Sequence, residues 1–375
     1  MNFQFHLPVN IVFGCGKVAE VGKLTKCWGR KALIVTGRSA QRSGLYGRVC
    51  DLLRENGIES VLFDKVTPNP LTTTAEEGAA LAKAEGRDVV VAIGGGSVMD
   101  CAKGIAFLAE NDGDINDYIF NLRRSDRALP LILIPTTCGT GSEGNGFAVL
   151  TNPETHDKKS LRCPAIIAKV SIVDPECMMG MPKDILAAVG FDALCHCIEA
   201  YTSRLAQPFT DALSLQGISY IAEALPLLCA GENSRELWEE LTLASTIGGM
   251  VIGCAGVTLA HGMEHPASGL RDIVHGCGLS ALTPAVVEAT CGGEPGKFAL
   301  ISRLLGGSSE WDCAARIRRL CKQLNLPLHL GELGILESDI PWMVENAQKV
   351  CPANIANTYF PVTPEKIEEI YHSAM

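Results

Sequence analysis

The chain has 375 residues, 47% hydrophobic and 20% charged, enough apolar material for more than one core and too much for a disordered protein. Its formal net charge of −10 disfavours nucleic acid, because phosphate recognition needs clustered Lys and Arg. The continuous apolar runs, such as 88–93 and 129–134, are of strand length, and residues 1–9 lack a basic region leading into an apolar stretch; no membrane partner and no signal peptide are expected, and a cytoplasmic location follows.

Strand and helix signals alternate through the first half. Residues 31–36 form a short β-rich run, followed by a helix-like stretch at 45–56 that stops at Gly57. A strand is expected at 60–63, a helix at 73–85, a buried strand at 88–93, a helix at 98–110 and a further strand at 129–134. Such alternation predicts a parallel sheet covered on both faces. Near Met181-Pro182 the β-branched runs cease and Ala/Leu-rich segments take over. The expected organisation is an α/β domain over 1–182 and an all-helical domain over 183–375.

Two strand ends carry features suited to a dinucleotide. The run 88–93 leads into Gly94-Gly95-Gly96-Ser97 and then a helix, so glycines admit a ligand close to the backbone and a helix N-terminus offers unpaired N–H groups to a pyrophosphate. This is not the G-x-G-x-x-G fingerprint, so the domain is expected to be a non-standard Rossmann variant. The strand 131–134 leads into Pro135-Thr136-Thr137-Cys138-Gly139-Thr140-Gly141-Ser142-Glu143, a loop of hydroxyls and glycines suited to ribose, phosphate or carboxamide.

The helical half carries a metal-like set. Asp192 and His196 lie four apart within 187–200, His261 and His265 repeat that spacing, and His275 follows. On a helix, residues four apart project from one face, and an Asp with three His is a mixed N/O set suited to divalent iron or zinc. Cys195 and Cys197 flank His196 but point away from it. The sixteen cysteines include no Cys-x-x-Cys pair, and many sit in apolar stretches (Cys101, Cys229, Cys254), as reduced packing residues do.

These motifs together resemble the iron-dependent (group III) alcohol dehydrogenases, a family that includes lactaldehyde, butanol and propanediol dehydrogenases and shares a dehydroquinate synthase-like fold. The resemblance runs from 10–16 to 368–371, nearly the whole chain, and its most specific stretches are 94–100, 135–143, 190–196 and 261–266. The resemblance implies a metal, Fe2+ or else Zn2+, held by Asp192, His196, His261 and His275, with His265 beside the nicotinamide as the catalytic candidate. It implies cofactor contacts from Gly94, Gly95, Gly96, Ser97, Asp100, Thr136, Thr137 and Thr140, with Lys159 on the rim. A homodimer or higher oligomer is implied, with an N-terminal strand around residues 2–5 pairing between subunits.

Where NAD-preferring relatives carry an Asp after the second strand, this chain reads Val35-Thr36-Gly37-Arg38-Ser39. Loss of that carboxylate removes repulsion of a 2′-phosphate that Arg38 or Ser39 could bind, so NADP is expected to be accepted alongside or ahead of NAD. Phe147, Ile252, Arg271 and Cys351 are the candidates for a substrate pocket, although a surface salt bridge suits Arg271 better. The expected reaction is hydride transfer between a small alcohol and its aldehyde or ketone. The alternatives are a glycerol dehydrogenase-like zinc enzyme, a dehydroquinate synthase-like lyase and a non-catalytic nucleotide-binding protein.

Overall fold

Six strands make one wholly parallel sheet in the order β1-β8-β5-β4-β2-β3. They are β1 (Ile11–Phe13), β2 (Lys31–Thr36), β3 (Glu59–Phe63), β4 (Val89–Gly94), β5 (Leu131–Pro135) and β8 (Val170–Val173). Strands β6 (Phe147–Thr151) and β7 (Lys158–Arg162) form a separate antiparallel pair. The computed structural model describes residues 2–375.

The central strands are buried along almost their whole length, as β-branched runs covered by helices on both faces must be. Alternate residues feed two cores. Leu33, Val35, Val90, Ala92, Leu131 and Leu133 pack with the helices Thr72–Ala84 and Gly96–Ala109, whereas Ala32, Ile34, Val89, Val91, Ile132 and Ile134 pack with Val49 and Leu53 of the helix Leu45–Glu55. From β2 the chain steps outward to β3, then returns to place β4 on the other side of β2. Open α/β sheets bind ligands outside the carboxyl ends of their strands at such a reversal. Register sets Thr36 opposite Ile93 and Gly94 opposite Pro135, so the ends of β2, β4 and β5 lie side by side.

Residues from Met181 onward are helical, led by Lys183–Thr202, Pro208–Ala230, Arg235–Ala255, Leu259–Arg271 and His275–Thr290. By packing, the chain divides into two units. One comprises Leu7–Thr137 with Gly141–Gly180, and the other Met181–Met375 with the stretch ending at His6 and with Cys138–Thr140. Thr140 therefore groups with the helical unit rather than with Thr136 and Thr137. Residues 2–10 form no strand within the single chain.

Two findings correct the sequence reading. The helices Lys183–Thr202 and Pro208–Ala230 are long and apolar enough to cross a membrane by length and composition, which a search for uninterrupted apolar runs missed. The first nevertheless has 89% of its most apolar window buried inside the protein, as a central helix in an all-α core requires. The helix expected at 98–110 starts at Gly96, so Gly96 and Ser97 belong to its first turn.

Candidate metal centre and cofactor loops

Asp192 and His196 sit one turn apart on the buried helix Lys183–Thr202. Two helices, Arg235–Ala255 and Leu259–Arg271, meet at a 104° bend that carries His261 and His265 towards that face. His275 opens the next helix, His275–Thr290. Asp192 Oδ1 lies 3.4 Å from His261 Nε2, 3.5 Å from His196 Nε2 and 3.6 Å from His275 Nε2. The His196 and His261 rings stack at 4.6 Å. Asp192 Oδ1 and His261 Nε2 are buried and make no hydrogen bond. Two orphaned ligand atoms at this spacing are costly unless something joins them, and a divalent cation among one carboxylate oxygen and the imidazole nitrogens around it would do so. The residues fit the group that the sequence implied.

A second grouping, Glu264, His265 and His275, also brings ligand atoms within 4.8 Å of one another. The Asp192, His261 and His275 grouping is the better centre, because Glu264 is already ion-paired with His275 Nδ1.

Two buried carboxylates escaped the sequence reading. Glu199 Oε1 lies 2.5 Å from His261 Nδ1, and its Oε2 accepts from Thr258 N at 2.7 Å, Thr258 Oγ1 at 3.1 Å and His261 N at 3.4 Å. One side chain thus orients a ligand imidazole and caps the N-terminus of the helix carrying it, where negative charge is favoured. Glu264 does the first of these for His275. The spacing of Glu199, one turn beyond His196, was the available signal.

These carboxylates change the electrostatics. Besides Asp192, Glu199 and Glu264 add two negative groups behind the imidazoles. Burial would raise the Asp192 carboxyl, but His196, His275 and His261 hold it well below the usual range. Burial likewise opposes protonation of His261, yet Glu199 and Asp192 raise it to about 10, whereas burial prevails at His196 and lowers it to about 4. Cys195 and Cys197 are packing residues, since burial pushes the Cys197 thiol up to about 12 and Cys195 well above its ordinary value.

Close backbone contact completes the centre. A Cβ on Gly276 would stand 2.0 Å from the Ala188 carbonyl oxygen, so only glycine lets the helix after His275 rest on the helix of Asp192.

In the α/β unit, Gly95 precedes the first turn of Gly96–Ala109 in extended conformation, with no side chain capping that turn. A Cβ there would lie 2.8 Å from Thr137 Oγ1, so the loop after β5 rests against the glycine turn after β4. Thr136 N donates to Gly94 O at 3.0 Å. The two loops named from the sequence are therefore neighbours, with Gly37 at the end of β2 and Arg38 and Ser39 exposed beside it.

Other predicted residues are occupied elsewhere. Asp100 accepts from Ser142 Oγ at 2.6 Å and Val149 N at 3.0 Å, so it holds protein rather than cofactor. Arg271 is committed to a bidentate pair with Asp339 at 2.6 and 2.9 Å. Lys159 Nζ stands 5.5 Å from the Phe120 ring, and the Phe147 ring carries the Arg162 guanidinium at 4.7 Å. In the helical unit, Ile252 is buried and Cys351 Sγ lies 3.5 Å from His265 Nδ1.

Comparison with known proteins gives the family. Residues 8–175 match the family described as iron-containing alcohol dehydrogenase, and residues 186–375 match its C-terminal part. The 1,3-propanediol dehydrogenase of Klebsiella pneumoniae is 37% identical over 92% of each chain, and the NAD-dependent methanol dehydrogenase of Bacillus methanolicus is 36% identical over 93% of this chain and 94% of its own. The crystal structure of an archaeal halo-thermophilic alcohol dehydrogenase from a Red Sea brine pool, bound to NZQ, superposes with a TM-score of 0.95 at 32% identity, covering 100% of both chains. The chain belongs to the iron-containing alcohol dehydrogenase family and is an oxidoreductase that interconverts an alcohol and its carbonyl compound with a nicotinamide cofactor.

Proposed function

We propose that Asp192, His196, His261 and His275 hold one divalent iron, and that the loops at Gly94–Ser97 and Thr136–Thr137 hold the dinucleotide. The observation that carries this reading is the orphaned Asp192 Oδ1, ringed by three imidazole nitrogens within 3.6 Å. When bound, the cation supplies Lewis acidity to the substrate oxygen, and zinc suits the same donors. Asp192 contributes charge, Glu199 and Glu264 fix the tautomers of His261 and His275, and His265 carries the proton that the alcohol gives up. Cys351, against Nδ1 of His265, orients that imidazole. The substrate is a small primary or secondary alcohol, in keeping with the sizes named for the relatives.

NADP is accepted as well as NAD in this reading. The end of β2 carries no carboxylate to repel a 2′-phosphate, and the exposed Arg38 stands beside it. Phe3, Phe5 and Phe209 form an exposed aromatic cluster with ring centroids 5.9 and 5.1 Å apart, which supports a homodimer. The sixteen cysteines suit the reducing cytoplasm.

The test is metal analysis of anaerobically purified protein, with alcohol-dependent reduction of NAD and NADP followed side by side. His261→Ala is expected to lose iron and activity together. Stoichiometric iron in that variant refutes the ligand set, and a preference for NAD above tenfold refutes the reading of Arg38.

A further inference from the structure

The last helix of the chain, Pro364–Ser373, sends a phenol into the helical unit, and nothing in the reaction described so far uses it. Ile367, Ile370 and Tyr371 follow the spacing i, i+3, i+4 and are buried, with Ala374 continuing the stripe, so this face packs inward. Leu330 N donates to Ala374 O at 2.8 Å and fastens the end of the helix. Tyr371 has no exposed surface and is the largest fully buried side chain among the described residues. Its hydroxyl donates to Met263 O at 2.6 Å, across 108 residues of sequence.

Met263 lies midway between His261 and His265 on the helix Leu259–Arg271, and Pro266 follows His265 inside that helix. Proline has no N–H for the carbonyl of Gly262, and its ring crowds that oxygen. Regular bonding is therefore interrupted in the turn that joins the two histidines. The Tyr371 hydroxyl ties down the very next carbonyl from outside the helix. Around the same turn, Glu264 is fully buried and paired with His275 Nδ1, and Cys351 Sγ lies 3.5 Å from His265 Nδ1.

Phenylalanine would fill the same volume without burying a polar atom, so what the hydroxyl contributes is its bond. Burial, with Cys351 and Glu264 nearby, pushes the Tyr371 phenol well above its ordinary value, and it stays a donor. The bond gives the Met263 carbonyl a fixed place, and through it Glu264 and His265.

We propose that Tyr371 is a positioning residue for the reaction: its bond to Met263 O holds the proline-interrupted turn, and so sets the His265 imidazole relative to His261 and His275. This rests on the reading that His265 carries the substrate proton.

The test is Tyr371→Phe in the full-length iron-loaded enzyme, which removes the hydroxyl and keeps the ring in the core. The kcat/KM for alcohol is expected to fall about tenfold, because a small displacement of a reacting group is costly in rate. The solvent deuterium isotope effect on that parameter is expected to rise, since proton transfer is the step that slows. Iron content and the KM for NAD stay within about twofold of the parent. Ile367→Val trims one buried methyl group from the same helix and leaves the hydroxyl bond intact. It is expected to lower Tm while kcat/KM stays within about twofold. If Ile367→Val slows the reaction as much as Tyr371→Phe at a comparable drop in Tm, the effect is one of helix docking and the proposal fails. It fails equally if folded Tyr371→Phe reacts like the parent. His265→Ala separates the underlying reading: undiminished kcat/KM there refutes the proton role of His265, independently of Tyr371. Where His265→Ala is slow, the double variant is expected to be no slower, and additive losses overturn the positioning.

Discussion

Replacing Gly276 with alanine places a methyl carbon 2.0 Å from the Ala188 carbonyl oxygen, 2.6 Å from its carbon and 3.0 Å from its Cα. All three are backbone atoms of a buried helix, so no side chain can swing aside. The helices have to separate by about 1 Å to restore an ordinary contact. Overpacking of this kind costs about 1–3 kcal/mol, which at roughly 2–4 °C per kcal/mol for a unit of this size lowers Tm by roughly 2–12 °C. The functional consequence is larger than the thermal one. His275 is the adjacent residue, and Asp192 lies one turn beyond Ala188 on the opposing helix. Separation of the helices stretches the 3.6 Å between Asp192 Oδ1 and His275 Nε2. Metal analysis of the anaerobically purified variant is expected to show substoichiometric iron. The control is Gly296→Ala in the helix Pro295–Leu304, where an added Cβ meets nothing within 4 Å. There alanine restricts the unfolded chain without strain, and stability rises by about 0.4–1 kcal/mol. A Gly276→Ala protein that melts no lower than the parent and keeps full iron would refute the close-approach reasoning.

Two further outcomes follow from the site. Glu199→Gln keeps the side-chain shape but must turn an amide N–H2 towards either His261 or Thr258, both of which need an acceptor. Affinity for the cation, measured by competition with a chelator, is expected to fall about 10–100-fold, and unchanged affinity would show that Glu199 does not orient His261. Arg271→Ala removes a part-buried bidentate pair between an exposed guanidinium and the buried Asp339 carboxylate, so the KM for any alcohol should stay within about twofold. A larger change, largest for an anionic substrate, would return Arg271 to the pocket.

Much of the molecule was legible before its coordinates. Uninterrupted β-branched runs ending in glycine or in Pro-Thr-Thr can be little else than buried parallel strands feeding loops. The two pairs four apart, Asp192/His196 and His261/His265, are readable because helical geometry alone puts each on one face. Four strands went unnoticed. β1 has three residues, the Lys158–Arg162 strand is polar because it pairs outside the main sheet, and β6 and β8 are apolar runs of only five and four residues. Runs this short carry too little period to register as strands.

Sequence by itself thus determined most element types, the candidate metal ligands on each helix and the family, because each depends on local periodicity or on motifs a few residues long. Only the tertiary structure decided which long-range partners those residues meet. Glu199 finds His261 62 residues away, Asp100 turns inward to Ser142 rather than outward, and Arg271 spends its charge on Asp339. A carboxylate's partner is set by how helices cross and bend, through packing that no short stretch of sequence encodes.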